Sequence, residues 1–225
     1  MELRIGIAPV QREVLSHKMT QSINRPCAVL FCTPDHQAIA TALAKLCERH
    51  GLKVYVGSDP ETQAQRLFQQ IKQDGAQPVL VVHGGGKWRK QTAMSSTVDE
   101  IGKQWRSICF AGSQVGQEAI KAMSPAGHGT LLLLGHVSAT QHQSGAAAYG
   151  AASAGLRSFA QSMAREFGPK GIHVVHAMRG GDVSPSDHTQ AQAEAVAMAN
   201  VLWMLHQQHR STWTHEIDMQ PETTT

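Results

Sequence analysis

Short apolar runs alternate along this chain with longer segments in which apolar residues recur every three or four positions. The runs are typical of parallel strands buried on both faces, and the longer segments are typical of amphipathic helices. Strands are predicted at residues 27–32, 52–56, 78–82, 130–134, 172–175 and 213–219, and helices at residues 37–50, 57–72, 98–123, 148–167 and 190–207. This alternation predicts an α/β fold with a doubly wound parallel sheet and helices on both faces.

The pattern also divides the chain. Residues 1–25 show no clear periodicity and precede the first strand, so we interpret them as an N-terminal extension. Residues 26–225 follow as one domain, since a chain of 225 residues is long enough to bury a single sizeable core.

Composition narrows the functional classes. Hydrophobic residues make up 41% and charged residues 16%, which is typical of a globular protein. The net charge of +3 is too small and too scattered for nucleic-acid binding, and the basic run at residues 87–90 is predicted to be a solvated loop. No apolar run approaches the roughly 20 residues of a membrane helix. The four cysteines and thirteen histidines show no metal-ligand spacing, so we expect no metal site. Because the cysteines are expected to be reduced thiols and no membrane helix is predicted, we expect a soluble cytoplasmic protein.

Two regions resemble a known family. Tyr149 is followed by small residues, by Gly-Leu-Arg at residues 155–157 and by the turn Gly-Pro-Lys-Gly at residues 168–171. Near the end, Trp-Met-Leu-His-Gln-Gln precedes Trp-Thr-His-Glu-Ile-Asp, which ends at Asp218. Both regions resemble the short-chain dehydrogenase/reductase (SDR) family, and the ending resembles one bacterial subgroup. The resemblance spans residues 26–221 and implies a Rossmann-like fold. The span between residues 56 and 78 is one βα unit shorter than is usual there.

The resemblance also implies catalytic positions. In this family they are an asparagine, a serine and Tyr-x-x-x-Lys, in which the lysine lowers the tyrosine pKa. Tyr149 holds the tyrosine position, Ser153 the lysine position and His136 the serine position, while the asparagine position falls near Ile108. Ser138 faces the same way as His136 if the strand continues. Without the lysine, Tyr149 is expected to keep a pKa near ~10. His136 is either a proton relay to Tyr149 or a structural histidine at a strand end.

The cofactor site departs from the family pattern as well. The family places glycines after the first strand, where backbone amides bind the diphosphate of NAD(P). This chain has no glycine there, and Thr33 is followed by Pro34, which lacks an amide hydrogen, and by the negatively charged Asp35. Asp59 is a candidate ligand for a ribose hydroxyl, although helix capping is favoured. Gly84 keeps a turn that allows close approach after the third strand. We therefore expect no bound NAD(P).

Three functional hypotheses are consistent with the resemblance. The first is a family member without the usual hydride transfer, which self-associates through helices 98–123 and 148–167 as a dimer or tetramer, or binds an intact relative. The second is a non-redox enzyme (a lyase, an isomerase or a cyclising enzyme) that uses Tyr149 and His136 on a small-molecule ligand. The third is an NAD(P)-dependent oxidoreductase with atypical motifs.

Overall fold

The computed structural model describes residues 25–88, 90–141, 144–180 and 188–220. The predicted extension lies outside the described residues except for Arg25, and so does most of the predicted loop 180–189. The strands are β1 (Arg25–Cys32), β2 (Lys53–Gly57), β3 (Ala76–Gly84), β4 (Gly129–His136), β5 (Ile172–Arg179) and β6 (Glu216–Met219). They form one parallel sheet in the order β2-β1-β3-β4-β5-β6. This arrangement confirms the predicted doubly wound, Rossmann-like sheet of reduced size.

The helices connect these strands in the predicted order. They are α1 (Gln37–Arg49), α2 (Pro60–Gln73), α3 (Val98–Trp105), α4 (Ala111–Met123), α5 (Ala147–Phe167) and α6 (His188–Gln207). The predicted helix 98–123 contains a π-helical turn at Arg106–Phe110, which joins α3 to α4. The last strand begins at Glu216, three residues later than predicted, and the Thr214 amide before it donates to the Gln208 side chain at 2.9 Å. Within the described ranges, no helix is long and apolar enough to cross a membrane.

The two faces of the sheet carry separate halves of the core. Alternate residues of β1 point to opposite sides, as the strand periodicity requires. Val29 and Phe31 pack with α2, α4 and α5, whereas Ala28 and Leu30 pack with α1 and α6. Residues at the carboxyl ends of β1, β3, β4 and β5 are therefore held by a core on both sides, and this edge of the sheet is where ligands bind in doubly wound folds.

One ion pair joins the two regions that carry the family resemblance. Arg157 of α5 lies 2.6 Å from Glu216 of β6, measured from Nε to Oε2, and its Nη2 donates to Oε1 at 2.9 Å. Gln161, one turn further along α5, donates to the same carboxylate at 2.9 Å. These contacts hold the short final strand against the long helix.

Gly135 and His176 form a second contact that fixes the sheet. Their strands, β4 and β5, are neighbours, and the His176 ring is fully buried across the Gly135 backbone. A Cβ atom at position 135 would overlap this ring. Glycine is therefore required at position 135 by close packing rather than by an unusual backbone angle.

Candidate functional site

Four segments converge at the carboxyl edge of the sheet. They are the turn that begins at Thr33, the segment Gly84–Trp88, the end of β4 at His136 and the first turn of α5 with Tyr149. Trp88, His136 and Tyr149 contact one another through their rings, and we call these three residues the aromatic cluster.

His136 and Ser138 do come together, but not as predicted. The strand ends at His136, and a 3-10 turn at Val137–Ala139 folds the chain back. The Ser138 amide donates to His136 Nδ1 at 3.1 Å, and Ser138 Oγ lies 3.0 Å from the same nitrogen. Because Nδ1 accepts the amide hydrogen bond, the neutral imidazole carries its proton on Nε2. β4 ends before Ser138, so the strand does not continue and the condition for Ser138 to face the same way as His136 is not met.

Tyr149 is buried rather than open to solvent. Its ring meets the His136 ring edge to face, with 5.5 Å between the centroids, and only 5% of the residue is exposed. Burial and, to a smaller extent, the nearby Asp35 charge raise the pKa of Tyr149 to about 12, although Arg179 partly offsets the rise. The expected pKa near ~10 is therefore wrong, because that value assumed a phenol in contact with water.

The lysine and asparagine positions hold no group that activates Tyr149. Ser153 lies one turn after Tyr149 in α5, is 1% exposed and makes no hydrogen bond through its hydroxyl to the described residues. Ile108 is buried in the π-helical turn, where its side chain packs against Gly86. A neutral hydroxyl and an aliphatic side chain cannot lower a tyrosine pKa.

Trp88 is the site residue that sequence reasoning missed. Its indole lies nearly parallel to the His136 ring, at 5.7 Å between centroids and 12° between planes, and meets Tyr149 edge to face at 5.4 Å. Its amide donates to Asp35 Oδ2 at 3.0 Å. The prediction of a solvated loop is wrong for Trp88, although Arg89 lies outside the described residues. A tryptophan within a run of lysines and arginines was the one available signal.

The turn after β1 is tied to the segment after β3. The Thr33 amide donates to the Gly84 carbonyl at 2.8 Å, and Thr33 Oγ1 donates to the Gly86 carbonyl at 2.8 Å. The side chain of His36, 4% exposed, packs against Gly84. Neither Thr33 nor Asp35 caps α1, because both side chains bind the neighbouring segment instead.

These contacts decide whether a dinucleotide diphosphate fits the turn. A diphosphate needs unpaired amides at a helix start and little negative charge nearby. Here the Thr33 amide is already paired, Pro34 has no amide hydrogen and the Asp35 carboxylate faces the Trp88 amide. The residues present do not fit a diphosphate in the pose that the resemblance implies.

Asp59, the candidate ligand for a ribose hydroxyl, caps α2 and accepts a hydrogen bond from the Glu61 amide at 3.1 Å.

Buried histidines and an arginine complete this edge. Burial lowers the pKa of His36 and of His83 to about 4, so both rings are neutral at physiological pH. The Ile108 backbone offsets part of the fall at His83, although neither ring nitrogen of His83 makes a hydrogen bond of ordinary geometry to the described residues. Arg179 at the end of β5 pairs with Glu194 of α6 at 2.8 Å. The described residues contain no cluster of three metal-ligating side chains.

Two small cavities lie beside these groups. A cavity of about 50 Å³ is lined by residues that include Asp35, Arg179 and Glu194, and one of about 10 Å³ by His36, Arg179 and neighbouring apolar side chains. Both are far smaller than the roughly 300–1,000 Å³ of typical ligand sites. The side chains here that are chemically able to exchange protons are Tyr149, His136 and Ser138.

Comparisons with known proteins identify the family. Residues 29–199 match the family model described as enoyl-(acyl carrier protein) reductase. The chain is 28% identical over 155 residues to 3-oxoacyl-[acyl-carrier-protein] reductase FabG of Pseudomonas aeruginosa. This alignment covers 69% of this chain and 61% of that protein. It is also 32% identical over 106 residues to the cyclic-di-GMP-binding biofilm dispersal mediator protein of Escherichia coli. This alignment covers 46% of this chain and 43% of that protein. The matches therefore span less than two thirds of either relative.

Solved structures agree with this match. A short-chain dehydrogenase from Rhodopseudomonas palustris superposes with a TM-score of 0.70 at 25% identity, over 87% of this chain and 99% of that one. An oxidoreductase of the same family from Burkholderia thailandensis superposes with a TM-score of 0.73 at 18% identity, over 87% and 91% of the two chains. The fold and the family match agree, and the chain belongs to the short-chain dehydrogenase/reductase family.

Proposed function

We propose that this chain is an SDR-fold protein that has lost the usual NAD(P)-dependent hydride transfer and acts through self-association. The observation that carries the proposal is the position of Trp88. Its indole fills the space beside Tyr149 and His136, and its amide holds Asp35 at the turn where the family binds diphosphate. One residue thus occupies the substrate side of the site and connects it to the cofactor side.

The protonation chemistry supports the same proposal. Hydride transfer in this family needs a tyrosine that gives up its proton near neutral pH. Burial raises the pKa of Tyr149 to about 12, and Ser153 in place of the lysine provides no charge to lower it. The tyrosine and its surroundings are retained as packing, with the hydroxyl kept protonated.

Calorimetric titration with NADH and with NADPH tests the loss of cofactor binding. We expect no saturable heat up to about 1 mM nucleotide, because the amides that would receive the diphosphate are paired or missing. FabG of P. aeruginosa, a relative named as a reductase, serves as the positive control. Micromolar binding of either nucleotide would overturn the proposal.

The surface of α3 and the π-helical turn supports self-association. Val98, Ile101, Trp105 and Phe110 are all 40% exposed or more, and Trp105 also packs against Gly155 of α5. Four large apolar side chains on one exposed helix are costly to leave in water, and their burial is the main driving force of stable interfaces. The occupant that we propose is a second copy of this chain, as the family resemblance of the two helices implies.

Sedimentation velocity tests this surface. Replacing Trp105 with glutamate should shift the chain toward monomer at micromolar concentration, because a charge would then have to be buried at the centre of the contact. Val196→Lys is the matched control, since Val196 is also about half exposed but lies on α6. A wild-type monomer at tens of micromolar, or equal association of Trp105→Glu and wild type, would contradict self-association through this surface.

A second candidate is a non-redox enzyme, and the hydrogen bond between Ser138 and His136 beside Tyr149 favours it. With Nδ1 accepting from Ser138 and its proton on Nε2, the imidazole has the acceptor and the donor that a proton relay requires. When a substrate has been identified by screening, Tyr149→Phe and Ser138→Ala should each lower its turnover at least about tenfold. Unchanged rates in both variants would exclude this candidate.

A further inference from the structure

β2 ends the sheet with an unpaired outer side. Among the described strands it pairs only with β1, along the register from Cys27 opposite Lys53 to Phe31 opposite Gly57. The backbone N–H and C=O groups that point away from β1 are therefore available to a further strand. Other elements form the proposed α3 surface, so a contact at the β2 edge is independent of the proposed function.

The two faces of β2 differ strongly. Tyr55 is buried under α2, with its hydroxyl donating to Asp74 at 2.6 Å, and Lys53 lies on the same face, 3.0 Å from Asp74 and over the Tyr55 ring. Val54 and Val56 alternate with these residues and face the opposite side. Val56 is 62% exposed, whereas Val54 is partly covered by the core around α1.

This edge lacks the features that normally prevent strands from pairing. Exposed edge strands usually carry a proline, a bulge or an outward-pointing charge. β2 reads Lys-Val-Tyr-Val-Gly without a proline, and its register with β1 runs without a shift. The one charge in the strand, Lys53, is drawn back onto Tyr55 and Asp74. An exposed valine thus lies beside regular, unprotected backbone.

We propose that β2 pairs in antiparallel fashion with β2 of a second copy of this chain, about a two-fold axis at Tyr55. The sequence is self-complementary in this register. Val54 of each copy lies opposite Val56 of the other, which buries two valine pairs on one face, and Lys53 lies opposite Gly57, which keeps the two lysines apart. A slip of one residue would place the valines of one strand against the face of Tyr55 and Lys53. The contact is isologous and closes as a dimer with one continuous sheet.

Cysteine cross-linking tests the register directly. Val54→Cys and Val56→Cys are prepared separately as full-length chains, mixed and oxidised. The proposed register places the two new thiols opposite each other only in the mixed dimer. In either variant alone they are diagonal neighbours, too far apart for a disulfide. We expect at least about tenfold more disulfide-linked dimer in the mixture than in either variant alone. The controls are wild type, which has four native cysteines, and a mixture of Val56→Cys with Val196→Cys.

If no cross-link forms, the rate at which a maleimide labels the Val56→Cys thiol shows whether the β2 edge is free or covered. No cross-link with labelling as fast as at Val196→Cys would mean that the edge is free, which overturns the proposal. No cross-link with much slower labelling would mean that another occupant covers the edge, such as residues 1–24 or a different protein, and this also overturns it. Circular dichroism of both variants confirms that they are folded before mixing.

Discussion

The indole of Trp88 lies nearly parallel to the imidazole of His136, with 5.7 Å between their centroids. The two residues come from different segments, one from the stretch after β3 and the other from the end of β4. Their contact places a bulky side chain beside Tyr149 and explains why that tyrosine is almost completely buried.

Removing the indole should lower the pKa of Tyr149. Trp88→Ala admits water to the phenol, so its pKa should fall from about 12 toward the ordinary value near ~10, by about one unit or more. The chain has two tyrosines, and a Tyr55→Phe background leaves the Tyr149 signal alone in an ultraviolet titration. Trp105→Ala, at an exposed tryptophan outside the aromatic cluster, is the matched control. An unchanged Tyr149 pKa in Trp88→Ala would show that the indole does not shield the hydroxyl.

Stability should fall in mild acid. Burial lowers the pKa of His36, His83, His176 and His206 to about 4, whereas the unfolded chain titrates near 6.5. Between about pH 4 and pH 6.5 the unfolded state binds more protons than the folded state. The contribution of these histidines to the free energy of unfolding is therefore fully present above about pH 6.5 and decreases as the pH falls toward 4. We expect a loss of several kcal/mol between pH 7.5 and 5, measured by urea unfolding. Equal stability at the two pH values would contradict this.

His83→Leu isolates one of these groups. Neither ring nitrogen of His83 makes an ordinary hydrogen bond to the described residues, so leucine should cost little or nothing at pH 7.5. The same substitution should reduce the loss of stability at pH 5, because one fewer proton is taken up on unfolding. A variant that is as sensitive to acid as wild type would exclude His83 from the titrating set.

The Arg157–Glu216 pair should contribute modestly to stability. Both side chains are about one third exposed, so we expect a coupling of about 1 kcal/mol in a double-mutant cycle of Arg157→Met with Glu216→Gln. Hydrogen bonding to Arg157 lowers the pKa of Glu216, so this contribution is present above about pH 4.3 and is lost at lower pH. The exposed pair Lys103–Asp99 is the control, with an expected coupling below about 0.5 kcal/mol. Equal couplings would remove the special role of the first pair.

Gly135→Ala should destabilise the sheet by about 2 kcal/mol or more, since the new methyl group overlaps the buried His176 ring. Adding His176→Ala to this variant should recover part of the loss by relieving the overlap. Gly102→Ala is the matched control, because nothing lies near its Cβ position and alanine favours the helix there. Urea unfolding of wild type and these variants measures the effects. Additive losses in the double variant would show that the overlap is not the cause.

Local patterns predicted the fold because strands and helices here follow their own periodicity. The strands predicted at residues 27–32 and 172–175 became β1 and the first half of β5 almost as predicted. The positions of Tyr149 and Ser153 in α5 followed from a motif with fixed spacing. Each of these depends on residues that are close together in the chain.

The missed features depend on contacts between distant segments. Trp88 takes its place through Asp35, His136 and Tyr149, none of which is a sequence neighbour. The pKa of Tyr149 depends on its burial, which no spacing rule provides. Tertiary packing determined these two features. The turn at Ser138 is the exception, because it is closed by a local hydrogen bond to the ring of His136, two residues earlier.

The π-helical turn at Arg106–Phe110 sets the rotational phase of the two helices that it joins. In an uninterrupted α-helix, Phe110 would lie about 140° around the axis from Trp105. The wider turn reduces that angle, so both residues reach the exposed side while Ile108 and Cys109 stay buried. In effect the turn absorbs one additional residue. Deleting one residue between Trp105 and Phe110 would therefore return the turn to regular α-helix and leave α4 in nearly the same phase relative to α3, so that the packing of Gly112 on Leu156 and His83 is kept.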